Sequence, residues 1–256
     1  MILPLALLAA ACGTRTQVTK QSDDNRWSDY PVGEIRFINA SPETRGAAIY
    51  ASIIPDPRAY IARHARQVLE TLYFSPTDSI PGIREIRYTL RDYDGISAKG
   101  GGVPSVHIEY STRWVERSFG ENADTAKLEY ETSGVLFHEL THAFQLEPKG
   151  IGTYSTNKTF WAFIEGMADA VRVINNRFQE SDCPAGGNYA DGYRTTGFFL
   201  AWIARTKDAN FLRSFNRSAL EVVPWSFDGA IKHILGDQYS VDDLWQEYQR
   251  SRAAKE

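Results

Sequence analysis

Two histidines stand four residues apart in an apolar stretch with helical periodicity, and any fold of this chain has to accommodate them. His138 and His142 lie within the segment 135–144, and Glu139 directly follows the first of them. Side chains at this spacing on a helix project from one face about one turn apart, so both imidazoles can reach one ion. Imidazole nitrogens bind Zn²⁺ readily, and a catalytic zinc site has three protein ligands with an open position for water. The fold therefore has to bring a third ligand to this helix.

Glu139 lies where a hydrolytic metal site needs a general base. Beside the first histidine, its carboxylate can accept a proton from a zinc-bound water as that water attacks a carbonyl carbon. With 5 His in 256 residues, this HExxH pattern is expected by accident in roughly one such chain in a hundred. The alternative is a pair of ordinary helix histidines beside a surface glutamate, and it gains weight if the chain offers no third ligand.

A third ligand is available on the next apolar helical segment, residues 160–172. Glu165 and Asp169 lie one turn apart on this segment, among mostly apolar neighbours. A buried carboxylate without a partner is costly, whereas a metal ion at Glu165 and a histidine N–H at Asp169 would satisfy both groups. The competing interpretation is that the two carboxylates pair with Arg172 or face solvent.

The order of these residues resembles two groups of metallopeptidases. An HExxH helix followed some twenty residues later by a helical glutamate, with an aspartate four residues further on, resembles the gluzincins. The metzincin pattern fails, because Gln145 stands where its glycine should be and Pro148 where its third histidine should be. The closer resemblance is to the plant basic secretory protein family and its bacterial relatives. Their HExxHxxQ and Glu-Gly-x-Ala-Asp-x-x-Arg helices match residues 138–145 and 165–172.

This resemblance, which extends over about residues 35–244, implies a zincin-like fold, bound Zn²⁺ and hydrolysis of peptide bonds. The ligands would be His138, His142 and Glu165, with Asp169 holding a ligand histidine. One departure is plain, because this chain has a formal charge of -4 and an estimated pI of 5.8. We therefore do not expect this chain to share any function that the basic secretory proteins perform through a basic surface.

Periodicity predicts an α+β fold with a mixed sheet in the N-terminal half and a mainly helical C-terminal half. Glycines and a proline from Gly95 to Pro104, including Gly100, Gly101 and Gly102, predict a loop. Strands are predicted at 34–38, 84–90 and 105–110. Helices are predicted at 59–73, 132–146, 159–177, 192–206, 210–217, 227–235 and 241–251.

The first residues predict export. Residues 1–12 form an apolar run that is too short to span a bilayer and ends at Cys12. Cys12 would carry a lipid in a bacterial cell-envelope lipoprotein, and the alternative is a plain secretory signal cleaved nearby. Residues 13–26 are polar and predict a tether, so the metallopeptidase domain would span 27–256.

The expected partner is a polypeptide substrate. No Lys/Arg run provides a nucleic-acid footprint on this acidic chain, so nucleic acid is excluded as a partner. We expect contact with a membrane only through a lipid at Cys12, and we expect a monomer.

A donor for the developing oxyanion is also expected, and Tyr193 and His233 are the candidates. Most tyrosines pack in cores and a lone helix histidine is usually structural, so each has an ordinary alternative. In gluzincin-like folds an edge strand beside the active-site helix binds extended substrate, which would give strand 105–110 that role and bring His107 near the cleft. The alternative for His107 is an ordinary sheet position.

The predicted function is an exported zinc metallopeptidase, with an endopeptidase preferred over an aminopeptidase. One alternative is a non-catalytic glycan- or protein-binding domain on the same scaffold. Glu139 argues against it, because a structural metal site has no use for a general base. The other alternative is a zinc hydrolase of a different amide or ester, since the same groups polarise any such carbonyl.

Overall fold

A four-stranded sheet in the N-terminal half and a mainly helical C-terminal half make up residues 26–253, the part of the chain that the computed structural model describes. This arrangement confirms the predicted α+β class. The predicted export segment with Cys12 lies outside the described residues, as does nearly all of the polar tether. Within the described residues, no helix has both the length and the apolar character needed to cross a membrane.

The sheet is mixed, and its two faces differ in polarity. Its strands are β1 (Glu34–Asn39), β2 (Glu85–Arg91), β3 (Ser97–Gly102) and β4 (Ser105–Ser111). In the order β1-β2-β4-β3, the first three strands are parallel, and β3 runs antiparallel to β4 at the edge. Because side chains alternate between the faces of a strand, the apolar positions of β2 and β4 are all buried in the core on one face. The opposite face of these two strands carries polar and charged side chains.

Strand β3 replaces most of the loop predicted between Gly95 and Pro104, so that prediction is wrong. Glycine is a poor strand former, and because it has no side chain it adds nothing to the polar–apolar alternation from which a strand is predicted. Backbone pairing with β4 holds the segment in place instead. At Gly101 the backbone has φ +70, and a Cβ would lie 2.5 Å from the Ser105 carbonyl oxygen, so only glycine fits. Since β3 occupies the edge, β4 is an interior strand and its predicted edge position is also wrong.

The helices follow the predicted segments closely in the C-terminal half. They are α1 (Arg45–Ile53), α2 (Pro57–Leu72), α3 (Thr112–Phe119), α4 (Thr125–Phe144), α5 (Lys158–Ile174), α6 (Tyr193–Thr206), α7 (Phe211–Glu221), α8 (Phe227–Leu235) and α9 (Val241–Ala253). Helices α1 and α3, of nine and eight residues, were not predicted. Helix α4 begins at Thr125 rather than at the predicted residue 132. The Asp124 carboxylate caps this start by accepting a hydrogen bond from Lys127 N.

Helix α4 connects the two halves of the fold, since it packs against α2, α3 and β3 of the N-terminal half and against α5 of the C-terminal half. Helix α5 in turn packs closely against α6, and glycines make this possible. A Cβ on Gly166 would lie 2.3 Å from Thr196 Cγ2, and a Cβ on Gly197 would lie 2.8 Å from Asp169 Cβ and 2.9 Å from Ala170 N. The close approach of α6 therefore fixes the backbone of α5 at Asp169.

Candidate metal centre and catalytic cleft

Three side chains from two helices converge at the candidate metal centre. His138 and His142 extend from α4, and Glu165 extends from α5. We call these three candidate ligands the ligand triangle. The two Nε2 atoms lie 3.1 Å apart, and Glu165 Oε2 lies 3.3 Å from the first and 3.6 Å from the second. Tetrahedral zinc with bonds of about 2.0–2.1 Å places its ligand atoms about 3.3 Å apart. Within residues 26–253, no other group of His, Cys, Asp or Glu side chains meets the spacing of a metal site.

Gln145 provides an independent test of whether these residues fit a metal. Its Nε2 lies 2.9 Å from His142 Nδ1, while its Oε1 is buried and has no hydrogen-bond partner in the described structure. When His142 gives its Nε2 lone pair to a metal, the hydrogen of the neutral ring is on Nδ1 and needs an acceptor. A flip of the amide brings Oε1 to that hydrogen. The orphaned oxygen then has a partner, so the site fits a bound metal ion.

Asp169 orients the other histidine. Its Oδ1 lies 2.8 Å from His138 Nδ1 and can accept the ring hydrogen there, which directs the Nε2 lone pair into the ligand triangle. Arg172, the predicted alternative partner of the two carboxylates, instead lies 4.0 Å from Glu131. In the described part of the chain, no ion pair joins Arg172 to Glu165 or Asp169.

The electrostatics of the triangle suit a cation. Burial acts to lower the pKa of His138, but hydrogen bonds to Asp169 and Glu165 outweigh it and raise that pKa above its ordinary value. Burial acts to raise the pKa of Glu165, but hydrogen bonds from both histidines and from Tyr154 hold it well below its ordinary value. For His142, burial and the charge of His138 lower the pKa. Glu165 is therefore an anion, and a metal competes with a proton for His138.

Glu139 lies beside the triangle and is held from the edge strand. Its side chain is on the helix face next to the ligand histidines, and the residue is only 5% exposed. The Ser97 hydroxyl, on β3, donates to Glu139 Oε1 at 2.6 Å. Because a serine hydroxyl has one hydrogen, the second carboxylate oxygen stays available for another proton.

Two half-exposed tyrosines border the triangle. The Tyr154 hydroxyl donates to Glu165 Oε1 at 2.6 Å, on the oxygen that does not face the histidines. The Tyr193 ring stacks on His138 with 6.1 Å between ring centroids and 11° between planes. Burial and the nearby Glu165 carboxylate raise the pKa of both phenols, so both stay protonated and can donate.

Tyr193 holds its place in a strained backbone conformation. It is the first residue of α6 and has φ +40, a left-handed value that side chains other than glycine rarely adopt. Gly192 precedes it with φ +72, and a Cβ there would lie 2.6 Å from the Trp161 ring. The Trp161 ring also packs edge-on against Tyr193 at 5.5 Å. Local strain of this kind persists where the surroundings hold a residue in a functional position.

A cleft lies along the triangle, and it consists of two adjoining cavities of about 420 and 740 Å³. Four residues line both cavities, namely Ser97, His138, Glu139 and Tyr193. The smaller cavity continues along β3 and towards Tyr154 and Phe160, while the larger continues towards Trp114, Tyr130 and Arg172. The ligand triangle and Glu139 thus lie along a groove that extends to both sides of them.

The family model described as "Peptidase of plants and bacteria", abbreviated BSP, matches residues 32–248. The chain belongs to the BSP family. This match spans both helices of the ligand triangle and confirms the predicted resemblance. No curated protein and no solved structure matches the chain. The BSP family is a peptidase family, so a peptidase with a His-His-Glu group able to hold a metal ion is what sequence and structure together support.

Two histidines considered for the cleft of this BSP-family protein lie elsewhere. His233, on α8, is exposed and its Nε2 lies 3.1 Å from Glu221, away from the residues that line the cleft. His107 alternates on β4 with the buried Val106 and Ile108, so it points to the opposite, exposed face of the sheet. The structure therefore does not bring either histidine to the ligand triangle.

Sequence reasoning missed Ser97 and Tyr154 in this BSP-family site. Ser97 begins a glycine-rich segment that shows no side-chain pattern, and it contacts a residue 42 positions further along the chain. Tyr154 lies among glycine, serine and threonine residues in the connection between α4 and α5. A single aromatic residue in so polar a turn was the only local indication of its role.

Proposed function

We propose that this protein is an exported, zinc-dependent endopeptidase with a zincin-like fold and a polypeptide substrate. The observation that carries this proposal is the triangle of His138, His142 and Glu165, whose edges of 3.1 to 3.6 Å suit tetrahedral zinc, with Glu139 directly beside it. Membership of the BSP family supplies the reaction class, hydrolysis of peptide bonds.

The residues around the triangle divide the work of hydrolysis. Zinc, when bound, polarises the substrate carbonyl and lowers the pKa of a coordinated water. Glu139 accepts the proton of the attacking water on its free carboxylate oxygen and passes it to the leaving amine. Asp169 and Gln145 keep the two ligand histidines in the tautomer with a free Nε2.

Tyr193 is the proposed donor to the carbonyl oxygen as negative charge develops on it. Its phenol stays protonated, because burial and nearby carboxylates raise its pKa. It lines both cavities, so substrate must pass it on either side. Tyr154 has a different role in this proposal, since its hydroxyl is engaged by Glu165 and directs the other oxygen of that carboxylate to the metal.

The two-sided cleft favours an endopeptidase. An exopeptidase needs a wall or a charged group that stops the chain close to the scissile bond. Here cavities of about 420 and 740 Å³ adjoin on both sides of Glu139, which leaves room for a peptide to continue in both directions. We propose that the chain acts as a monomer, since one chain supplies every group named above.

Export is proposed from the apolar run at residues 1–12 and from Cys12, which would carry a lipid. The polar residues 13–26 would then separate the anchor from the catalytic domain. Mass spectrometry of the protein from a bacterial membrane fraction tests this, and an unprocessed N-terminus in the cytoplasm would contradict it.

Zinc content and chelator-sensitive cleavage test the central proposal. We expect one zinc per chain and cleavage of an unstructured protein such as casein, lost on treatment with 1,10-phenanthroline and restored by zinc. Glu165→Ala should release the metal, whereas Glu139→Gln should keep the metal and lose cleavage. Glu129→Gln is the matched control, because this glutamate is exposed on the same helix, α4, and lines neither cavity. A zinc-free protein at adequate zinc supply would overturn the proposal.

A further inference from the structure

Glu139, the general base of the proposed reaction, accepts a hydrogen bond from a different element of the fold. Glu139 is 5% exposed, and a buried carboxylate needs hydrogen-bond donors. Among the described residues, the Ser97 hydroxyl is the only donor to its carboxylate, at 2.6 Å from Oε1. This serine comes from a different element, the edge strand β3, rather than from the helix that carries Glu139.

Ser97 itself is held firmly in place. It pairs with Tyr110 in the antiparallel ladder, and Ser111 N donates to the neighbouring Ile96 carbonyl at 3.0 Å. The hydroxyl is therefore presented from a backbone whose register is fixed by β4. A glutamate side chain has three rotatable bonds, and one strong hydrogen bond to a fixed donor removes most of that freedom.

We propose that Ser97 is a positioning residue for catalysis, which holds Oε1 of Glu139 so that the other oxygen faces the attacking water. The proposal rests on the proposed peptidase function, and it assigns edge strand β3 a part in the chemistry as well as in lining the cleft. Without the hydroxyl, the carboxylate would sample several rotamers and would be aligned with the water only part of the time.

The alternative is that Ser97 merely stabilises the contact between β3 and α4. The chain offers a matched control for this, because Ser105 forms the same kind of bond at the other end of the same strand pair. Its hydroxyl donates to Glu85 Oε1 at 3.1 Å, and it pairs opposite Gly102. Ser105 does not line the cleft, so Ser105→Ala removes a serine–glutamate bond of the sheet without touching the proposed base.

The kinetic test compares Ser97→Ala, Ser97→Thr and Ser105→Ala as zinc-loaded proteins on one fluorogenic peptide. Ser97→Ala should lower kcat on the order of tenfold, with KM, zinc content and melting temperature nearly unchanged. Threonine keeps a hydroxyl and should restore most of kcat, and Ser105→Ala should match the wild type. Equal kcat for Ser97→Ala and Ser105→Ala, or loss of zinc from Ser97→Ala, would overturn the proposal.

A second comparison tests whether Ser97 acts through Glu139. Aspartate is one methylene shorter than glutamate, so in Glu139→Asp the carboxylate no longer reaches Ser97. In that background Ser97→Ala should change kcat by less than about twofold, because neighbouring groups that act as a unit are non-additive. A further tenfold loss would show that Ser97 acts independently of Glu139 and would contradict the proposal.

Crystal structures keep the proposal testable even if the wild type cleaves no peptide, an outcome that by itself counts only against the proposed function. Zinc-loaded wild-type protein should show Glu139 in one rotamer, with Oε1 on Ser97. In Ser97→Ala the carboxylate should occupy more than one position. A single, unmoved Glu139 in that variant would overturn the positioning role.

Discussion

The carboxylates of this site divide their oxygens between different partners. Glu165 turns Oε2 to the two ligand histidines and accepts a hydrogen bond from Tyr154 on Oε1. Glu139 accepts from Ser97 on one oxygen and keeps the other free. A buried carboxylate with a fixed donor loses little conformational entropy on reaching its working geometry, which is how a site of this kind is preorganised.

Replacement of Tyr193 by phenylalanine tests the proposed donor to the developing oxyanion. The ring and its stack on His138 would stay, while the hydroxyl would be lost. We expect kcat to fall by about 10²-fold, the usual effect of removing one such donor, with zinc content unchanged. Steady-state kinetics and metal analysis measure the two quantities.

The control for this variant is Tyr239→Phe, which removes the phenol hydroxyl of a tyrosine that lines neither cavity. Its kcat should equal that of the wild type. If both variants keep full turnover, or if Tyr193→Phe loses its zinc, Tyr193 is not the oxyanion donor.

At the scale of elements, the contact between α5 and α6 determines where Asp169 lies. A Cβ on Gly197 would meet Ala170 N at 2.9 Å and Asp169 Cβ at 2.8 Å, and backbone atoms cannot rotate out of the way as a side-chain end can. Gly197→Ala therefore has to push the two helices apart. We expect it to destabilise the fold by about 2 kcal/mol, despite the better helix propensity of alanine, and to weaken zinc binding about tenfold.

Urea unfolding and competition with a zinc-binding dye measure these two effects. Gly82→Ala is the control, because a Cβ there has no neighbour within 4 Å. Its stability and zinc affinity should match those of the wild type. A Gly197→Ala protein that is as stable as the Gly82→Ala protein would show that α6 does not hold Asp169.

Elements also explain which parts of the structure were predictable. Glu165 and Asp169 were found because charges on an apolar helix need partners, and helical spacing shows which residues share a face. Ser97 and Tyr154 come from segments without such a pattern, where backbone pairing or turn geometry positions the side chain. Strand β3 was missed for the same reason, since its glycines are held by hydrogen bonds to β4 rather than by side-chain burial.

At the scale of the whole molecule, one buried histidine makes stability depend on pH. His64, on α2, is 3% exposed, and its Nδ1 lies 2.8 Å from the Tyr60 carbonyl. Burial lowers the pKa of His64 from 6.5 to about 4. Between pH 6.5 and pH 4, His64 is protonated in the unfolded chain but stays neutral in the folded protein. The contribution of the neutral His64 to stability is therefore complete above pH 6.5 and falls as the pH falls to 4.

The loss attributable to His64 should reach about 3 kcal/mol by pH 4. His64→Gln carries no titratable group there, so its free energy of unfolding should fall less than that of the wild type between pH 7 and pH 4. Urea titrations across this range measure the difference. His107→Gln, at an exposed position, should follow the wild type. Parallel pH profiles for the wild type and His64→Gln would contradict the burial argument.

The shape of the cleft leads to a prediction about whole substrates. If peptide continues through both cavities, neither chain end has to be near Glu139, and neither end contributes binding energy in the transition state. A peptide of about ten residues with an acetylated N-terminus and an amidated C-terminus should then be cleaved internally, with kcat/KM within about threefold of the uncapped peptide. Mass spectrometry of the fragments locates the bond. An aminopeptidase would instead require the free amine, so cleavage that stops on acetylation, or removes residues one by one from the N-terminus, would mean that one of the two cavities does not take substrate.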